Sequence, residues 1–310
     1  MVESWRGLDK LIPHFRCIDM NTKPFSGMRL LLVHAHPDDE TINNGATMAM
    51  YAELGASITL VVCTRGEEGE VLVPGLSHLA STAQDALGAH REIELAAAMI
   101  ELGIEDYRFL GNGAVKFRDS GMMGTEPNNR PDAFWQADLD SAAKLLVEII
   151  HEVKPHVLIT YDENGGYGHP DHIQAHRVAM RAAELSDKWK IQKIYWNAIP
   201  KSLITQGIEE MKKVGSSFFG AESADDIPFA KEDELVTAAI DADKFVDKKM
   251  AAMKAHETQI ALDGPFFALS NQLGLAIWGH EYYTLVRGDA TGPFDVDGRE
   301  ASLFSGIVTE

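Results

Sequence analysis

MRLLLVHAHPDDE, residues 28–40, is the stretch that decides the fold. MRLLLVHA (28–35) is a nearly continuous apolar run that stops at a polar cluster. That is how a strand buried on both faces of a parallel sheet reads. TINNGATMAMYAEL (41–54) follows as a helix closed by Gly55. The unit then recurs. SITLVVCT (57–64) is a second buried strand, and RGEEGEVLVPG (65–75) is a loop by its glycines and proline. An Ala-, Leu-, Ile- and Glu-rich helix spans 82–102 and ends at Gly103; YRFLG (107–111) is a third strand.

Residues 112–137 read as a long loop of the kind that is usually functional. Residues 138–153 form an amphipathic helix with Ala142, Leu145, Leu146, Ile149, Ile150 and Val153 on one face, stopped by Pro155. HVLITY (156–161), a Gly/His/Asp loop, a helix over 171–186 and KIYWNAI (193–199) complete the series. Strand and helix alternate throughout, which predicts an α/β fold: a Rossmann-like, mostly parallel sheet with helices on both faces. Residues 1–27, broken by Pro13, Pro24 and Gly27, read as an N-terminal extension and 28–199 as the catalytic domain. Residues 200–310 read as a smaller C-terminal subdomain that completes the substrate pocket, with helices over 202–214 and 243–258 and a strand at 281–286.

Among the 310 residues, Lys plus Arg number 28 and Asp plus Glu 47, so the formal charge is −19. That balance argues against nucleic acid and against anionic membranes as partners. No apolar run is long enough to span a bilayer, and MVESWRGLDKLIPHFRCIDM (1–20) has no apolar core of a secretory signal. Cys17 and Cys63 are too few for a disulfide scaffold or a Cys-rich zinc site. The expectation is a soluble cytoplasmic protein. Oligomeric state cannot be read.

Chemistry concentrates at two places. His34-Ala35-His36-Pro37-Asp38-Asp39-Glu40 follows strand one, and Tyr167-Gly168-His169-Pro170-Asp171-His172 follows strand four. Open α/β sheets bind ligands at the carboxyl ends of their strands, so the two clusters could face each other across one crevice. Imidazole and carboxylate ligands suit a catalytic metal with an open position, and a leftover carboxylate could accept a proton from water. The plainer reading is that these are turn residues, with Asp39 capping the next helix. HPDDETINNG (36–45) holds no glycine-rich phosphate loop, and its acidic pair would repel phosphate, which excludes a nucleotide site. His34 reads as support or packing. His14, His78, His90, His151, His156, His176, His256 and His280 have no partner motif and read as surface or core.

His36-Pro37-Asp38-Asp39-Glu40 after an apolar strand, with Gly168-His169-Pro170-Asp171-His172 downstream, resembles the PIG-L/LmbE zinc-dependent N-acetylglucosamine deacetylases. TRGEEGEV (64–71), Arg118-Asp119-Ser120-Gly121-Met122 and YDENGGY (161–167) are similar to the actinobacterial branch of mycothiol biosynthesis, whose members deacetylate N-acetylglucosaminyl-inositol. The likeness runs from about 28 to 287, including Ala268-Leu269-Ser270-Asn271. It implies one Zn2+ per chain, with Fe2+ possible in the cell, held by His36, Asp39 and His172. It implies Asp38 as general base, Tyr167 as oxyanion donor, His169 beside the leaving amine, and Asp171 as the group that orients an imidazole. Arg91, Asp119 and Met122 are implied as contacts to an amino-sugar inositol. Composition alone favours reading Arg91, flanked by His90 and Glu92, as a solvated helix residue. The alternatives are a mycothiol S-conjugate amidase, which the RDSGM segment disfavours, and a non-catalytic sugar-binding protein, which the complete ligand set disfavours.

Overall fold

The computed structural model describes residues 23–213, 215, 217, 220–261 and 279–309. Most of the N-terminal extension and the Ala268–Asn271 segment therefore lie outside the described residues. The elements alternate as the apolar pattern predicts: β1 (Arg29–His34), α1 (Asp39–Glu53), β2 (Ser57–Val62), α2 (Leu87–Leu102), β3 (Asp106–Phe109), α3 (Leu139–Val153) and β4 (Val157–Thr160). A single turn, α4 (Gly165–Gly168), precedes α5 (Pro170–Leu185) and β5 (Lys193–Pro200). Then come α6 (Lys201–Lys213), β6 (Ala230–Lys231), β7 (Ala238–Asp241), α7 (Val246–Ala255) and β8 (His280–Arg287).

The sheet order is β3-β2-β1-β4-β5-β8-β7, with β6 beside β5. β1 through β5 pair in parallel, whereas β8 runs antiparallel to β5 and to β7. Successive side chains on a strand point to opposite faces, so an unbroken apolar run serves two cores at once. Leu30, Leu32, Leu60 and Val62 meet Met48 of α1 and Leu95 and Met99 of α2 on one face. Leu31, Val33, Val61 and Leu158 meet Leu146 and Ile150 of α3 and Val178 of α5 on the other. The chain steps outward from β1 through β2 to β3, then returns to place β4 on the other flank of β1. That reversal opens a crevice at the carboxyl ends of β1 and β4.

Two local differences from the sequence reading have physical causes. The second helix starts at Leu87 rather than 82, because Asp85 takes a positive φ of 51° and its N–H and that of Ala86 bond back to Ala80 and Leu79. The C-terminal portion also supplies β7 and β8 to the same sheet, while α7 lies against α1 and α2. No helix among the described residues is long and apolar enough to cross a membrane.

A buried ion pair ties the chain's end to this sheet. Lys193 Nζ donates to Glu300 Oε1 at 2.6 Å; Tyr195 Oη donates to Oε2 at 2.7 Å, and the Thr291 N–H to Oε1 at 2.8 Å. Removing one member of such a pair leaves the other charge buried and uncompensated. Glu300→Gln should therefore lower unfolding free energy by about 3–5 kcal/mol. Urea titration checks this, and an unchanged midpoint would show that the pair is not a stabilising tie.

Candidate metal centre

The β1–α1 turn carries the first half of the site. Asp39 and Glu40 occupy the first turn of α1, where the helix N-terminus favours carboxylates. Asp38, the residue before the helix, adopts φ 119°, a region costly for a side-chain-bearing residue by about 1–3 kcal/mol. The second half follows β4. Gly165, at φ 61°, lets the chain pass so close to α5 that a Cβ there would lie 2.6 Å from His172 Cβ. His169 caps α5, its Nδ1 accepting the Asp171 N–H at 3.2 Å, and Asp171 and His172 sit in that helix's first turn.

β1 and β4 are neighbours in the sheet, and the two halves meet. His36 Nδ1 lies 3.3 Å from Asp39 Oδ2 and 3.3 Å from His172 Nε2, and His172 Nε2 lies 3.4 Å from Asp39 Oδ2. All three side chains are buried. Four ligands held tetrahedrally at ~2.0–2.1 Å are separated by about 3.3 Å, so this triangle matches one face of a zinc-sized coordination sphere. The outer ring nitrogens fix the protons. His172 Nδ1–H donates to the Gly165 carbonyl at 3.1 Å, and His36 Nε2–H to Asp171 Oδ2 at 3.3 Å. In its neutral form each imidazole then presents a bare lone pair inward, an arrangement that carboxylate and carbonyl partners commonly impose on metal-binding histidines. His169 joins this group, its ring nitrogen within 4.8 Å of those of His36 and His172.

Electrostatics favours a cation here. Burial alone would strip charge from His36, but Asp119, Asp171 and Asp39 outweigh it and hold the imidazole well above its ordinary range. Asp39 is likewise held well below the usual carboxylate range, against burial, by His172 and His36. Burial raises Asp38 to about 6 despite the opposing Arg91 guanidinium, whose Nη2 lies 3.2 Å from Asp38 Oδ1. Burial and the two neighbouring imidazoles push His169 down to about 3, so this ring is neutral near pH 7. Tyr167, half-exposed, stands with its ring 5.0 Å from that of His172; partial desolvation and Asp39 raise its hydroxyl above the ordinary phenol range. These groups line a cavity of about 740 Å³ whose other walls include Ile199, Leu203 and Phe229.

A family model described as PIG-L, GlcNAc-PI de-N-acetylase, matches residues 31–183. Over 280 residues the chain is 58% identical to a 1D-myo-inositol 2-acetamido-2-deoxy-alpha-D-glucopyranoside deacetylase of Acidothermus cellulolyticus, covering 90% of this chain and 94% of that one. The chain belongs to the PIG-L family. Solved structures of similar fold include an N,N'-diacetylchitobiose deacetylase from Pyrococcus horikoshii, with a TM-score of 0.52 and 17% identity over 84% of each chain. A 4-carboxy-2-hydroxymuconate hydratase from Pseudomonas putida has a TM-score of 0.56 at 18% identity, covering 86% of this chain and 99% of that one. At such identities the likeness is one of fold. A hydratase on the same fold means that the reaction must be argued from the side chains.

In this PIG-L family chain, the ten residues singled out in the sequence all fall on the cavity or directly behind it. Arg91 is buried, donating from Nη1 to the Gly66 carbonyl at 2.9 Å and from Nη2 to the Pro37 carbonyl. It clamps the turn that carries Asp38 and is not the solvated helix residue that composition allows. Gly66 is needed for this, since at φ 66° a Cβ would fall 1.9 Å from Arg91 Nη1. Asp119 accepts the Gly121 N–H at 2.8 Å and the Glu68 N–H at 3.1 Å, with Oδ1 3.6 Å from His36 Nε2. Met122 is half-exposed on the cavity wall.

Other functional neighbours escaped the sequence reading. Ser120 donates to Asp171 from both its N–H (2.9 Å) and its hydroxyl (2.5 Å), locking the carboxylate behind His36. Its place inside RDSGM was the available signal. Tyr161 stacks on His172 with ring centroids 4.3 Å apart, and its hydroxyl accepts the Ala35 N–H at 2.9 Å. His34, by contrast, plays the supporting part expected of it, bridging Tyr161 and Asn44 at 3.2 and 2.7 Å. His256 contacts Glu40 inside the site's wall, and nothing in its local sequence signals that.

Proposed function

We propose that this chain is a metal-dependent deacetylase that hydrolyses the N-acetyl group of 1D-myo-inositol 2-acetamido-2-deoxy-α-D-glucopyranoside to glucosaminyl-inositol and acetate, a cytoplasmic step of mycothiol biosynthesis. The observation that carries this reading is the triangle of His36 Nδ1, Asp39 Oδ2 and His172 Nε2, with Asp38 beside it and facing the same cavity. The substrate is suggested by relatives of that name at 50–58% identity over nine-tenths of the chain.

His36, Asp39 and His172 would hold the cation, with Zn2+ the best match to the donor set and Fe2+ also compatible with two imidazoles and one carboxylate. When bound, the cation supplies Lewis acidity at the acetamide carbonyl and makes water a better nucleophile. Asp38 takes the proton from the attacking water. A carboxyl group near pH neutrality in its affinity can also return that proton to the leaving nitrogen. Tyr167 donates a hydrogen bond to the oxygen on which negative charge develops. The neutral His169 accepts the Asp171 amide on Nδ1 and so carries its proton on Nε2, which is free to hydrogen-bond near the leaving nitrogen. Asp171 keeps His36 in one tautomer. The C–N bond then breaks, releasing acetate and the free amine. Arg91, Asp119 and Met122 border the volume left for the sugar and inositol rings.

The test compares acetate release from N-acetylglucosaminyl-inositol with cleavage of a mycothiol S-conjugate, each before and after chelation and after metal is restored. Faster turnover of the acetyl sugar, lost on chelation and regained with metal, is expected. Preferential cleavage of the conjugate would make the chain an amidase, and undiminished turnover without metal would overturn the reading.

A further inference from the structure

We propose that Glu40 and His256 are positioning residues: a buried carboxylate–imidazole pair that fixes the backbone of Asp38 and thereby aims its carboxylate. The inference rests on the reading of Asp38 as the proton acceptor.

Glu40 and His256 have no exposed surface. Glu40 is the second residue of α1 and reaches back to the residue before the helix, so that its Oε2 accepts the Asp38 N–H at 3.0 Å. Its other oxygen, Oε1, accepts from the Thr41 hydroxyl at 2.6 Å and from His256 Nε2 at 3.1 Å. The two oxygens therefore serve different ends, one holding the Asp38 amide and the other anchored by His256, 216 positions along the chain. Asp38 needs such a hold. As the residue before α1 it has no intrahelical acceptor for its amide, and a conformation as sparsely populated as φ 119° persists only when its surroundings over-determine it. Arg91 Nη2 holds the side chain of Asp38, 3.2 Å from its Oδ1.

A helix cap alone would not require this construction. Exposed Glu residues cap helices without a partner, whereas a buried carboxylate is costly unless it is paired and hydrogen-bonded. An apolar pair would fill the same space but offer nothing to the Asp38 amide. His256 closes α7, and the segment it begins is fastened again by Thr258, whose N–H and hydroxyl donate to Glu94 at 2.8 and 2.9 Å. The anchor on Glu40 is thus itself held against α2, the helix that also carries Arg91.

Two readouts test the proposal. The first needs no turnover: the amide of Asp38 is followed by NMR shift and hydrogen exchange in the metal-free full chain. Glu40→Ala should remove its protection, lowering it by about tenfold or more, as expected for loss of a hydrogen bond to a charged acceptor. Glu40→Gln, which keeps an acceptor oxygen, should restore most of it, and His256→Ala should weaken it. The second is a double-mutant cycle on the metal-loaded enzyme. Glu40→Ala should reduce kcat by about 10- to 100-fold with KM within about threefold, yet cost less than about twofold when Asp38 is already alanine. Should Glu40→Ala fail to fold, His256→Ala and His256→Gln carry the same cycle, with the same dependence on Asp38 expected at a smaller loss. An Asp38 amide unmoved by every substitution, or a full kcat loss repeated without Asp38, would overturn the proposal. If the wild-type chain released no acetate from amino sugars, the functional reading would fall, while the amide readout would still decide whether Glu40 and His256 hold Asp38.

Discussion

His36→Ala and His172→Ala should each leave a chain that no longer holds a stoichiometric cation and that turns over substrate about 10³- to 10⁵-fold more slowly. The magnitude follows from losing a Lewis acid worth several kcal/mol of transition-state stabilisation, at about 1.36 kcal/mol per tenfold. The geometry explains why one side chain suffices. Each corner of the triangle lies 3.3–3.4 Å from the other two, so deleting an imidazole leaves one nitrogen and one carboxylate oxygen. The two variants should also differ. Losing His36 leaves Ser120 as the remaining partner of the Asp171 carboxylate and takes the imidazole away from Asp119, whereas losing His172 frees the Gly165 carbonyl and leaves Asp39 beside His36. His36→Ala is therefore expected to melt at a lower temperature than His172→Ala. Metal analysis, steady-state kinetics and a thermal melt check the set. A variant with full metal and near-normal rate would remove that residue from the ligand set.

Asp38→Ala should behave in the opposite way, keeping its metal while losing about 10²- to 10⁴-fold in kcat, the usual contribution of a positioned general base. Asp38 is not part of the ligand triangle, and its nearest charged partner is Arg91 at 3.2 Å. Asp38→Asn is the control for backbone effects, because asparagine tolerates positive φ better than most residues. It should hold the turn and still lose the rate. If Asp38→Asn retained wild-type kcat, proton transfer through this carboxyl group would be excluded. Loss of metal from both variants would instead mean that Asp38 shapes the ligand triangle.

The fold was legible because burial on two faces leaves a plain trace. Leu30 to Val33 and Leu158 to Ile159 are apolar without alternation, as strands covered on both sides must be. The start of the second helix was less legible. Ala80 to Ala86 have helix-compatible residues but are turned by backbone bonds to Ala80 and Leu79 around a positive-φ Asp85, whose side chain is tied to Arg118. The site divides in the same way. His36, Asp38, Asp39, His169, Asp171 and His172 stand out because His and Asp cluster where an apolar strand stops. Ser120, Tyr161 and His256 do not, because each acts through long-range hydrogen bonds or ring contacts that no short window of sequence shows.

What the amino-acid order determined by itself is local: which segments are buried strands, which segments between them are helical, and which two short clusters carry metal-binding chemistry. Tertiary structure decided that those clusters meet. β4 lies beside β1 rather than beyond β3, which brings His172 to His36 across 136 positions of chain. It also decided that a histidine after α7 would be buried against Glu40. Strand order and loop docking come from the closing of two cores around one sheet, a non-local balance of burial that no short window of residues encodes.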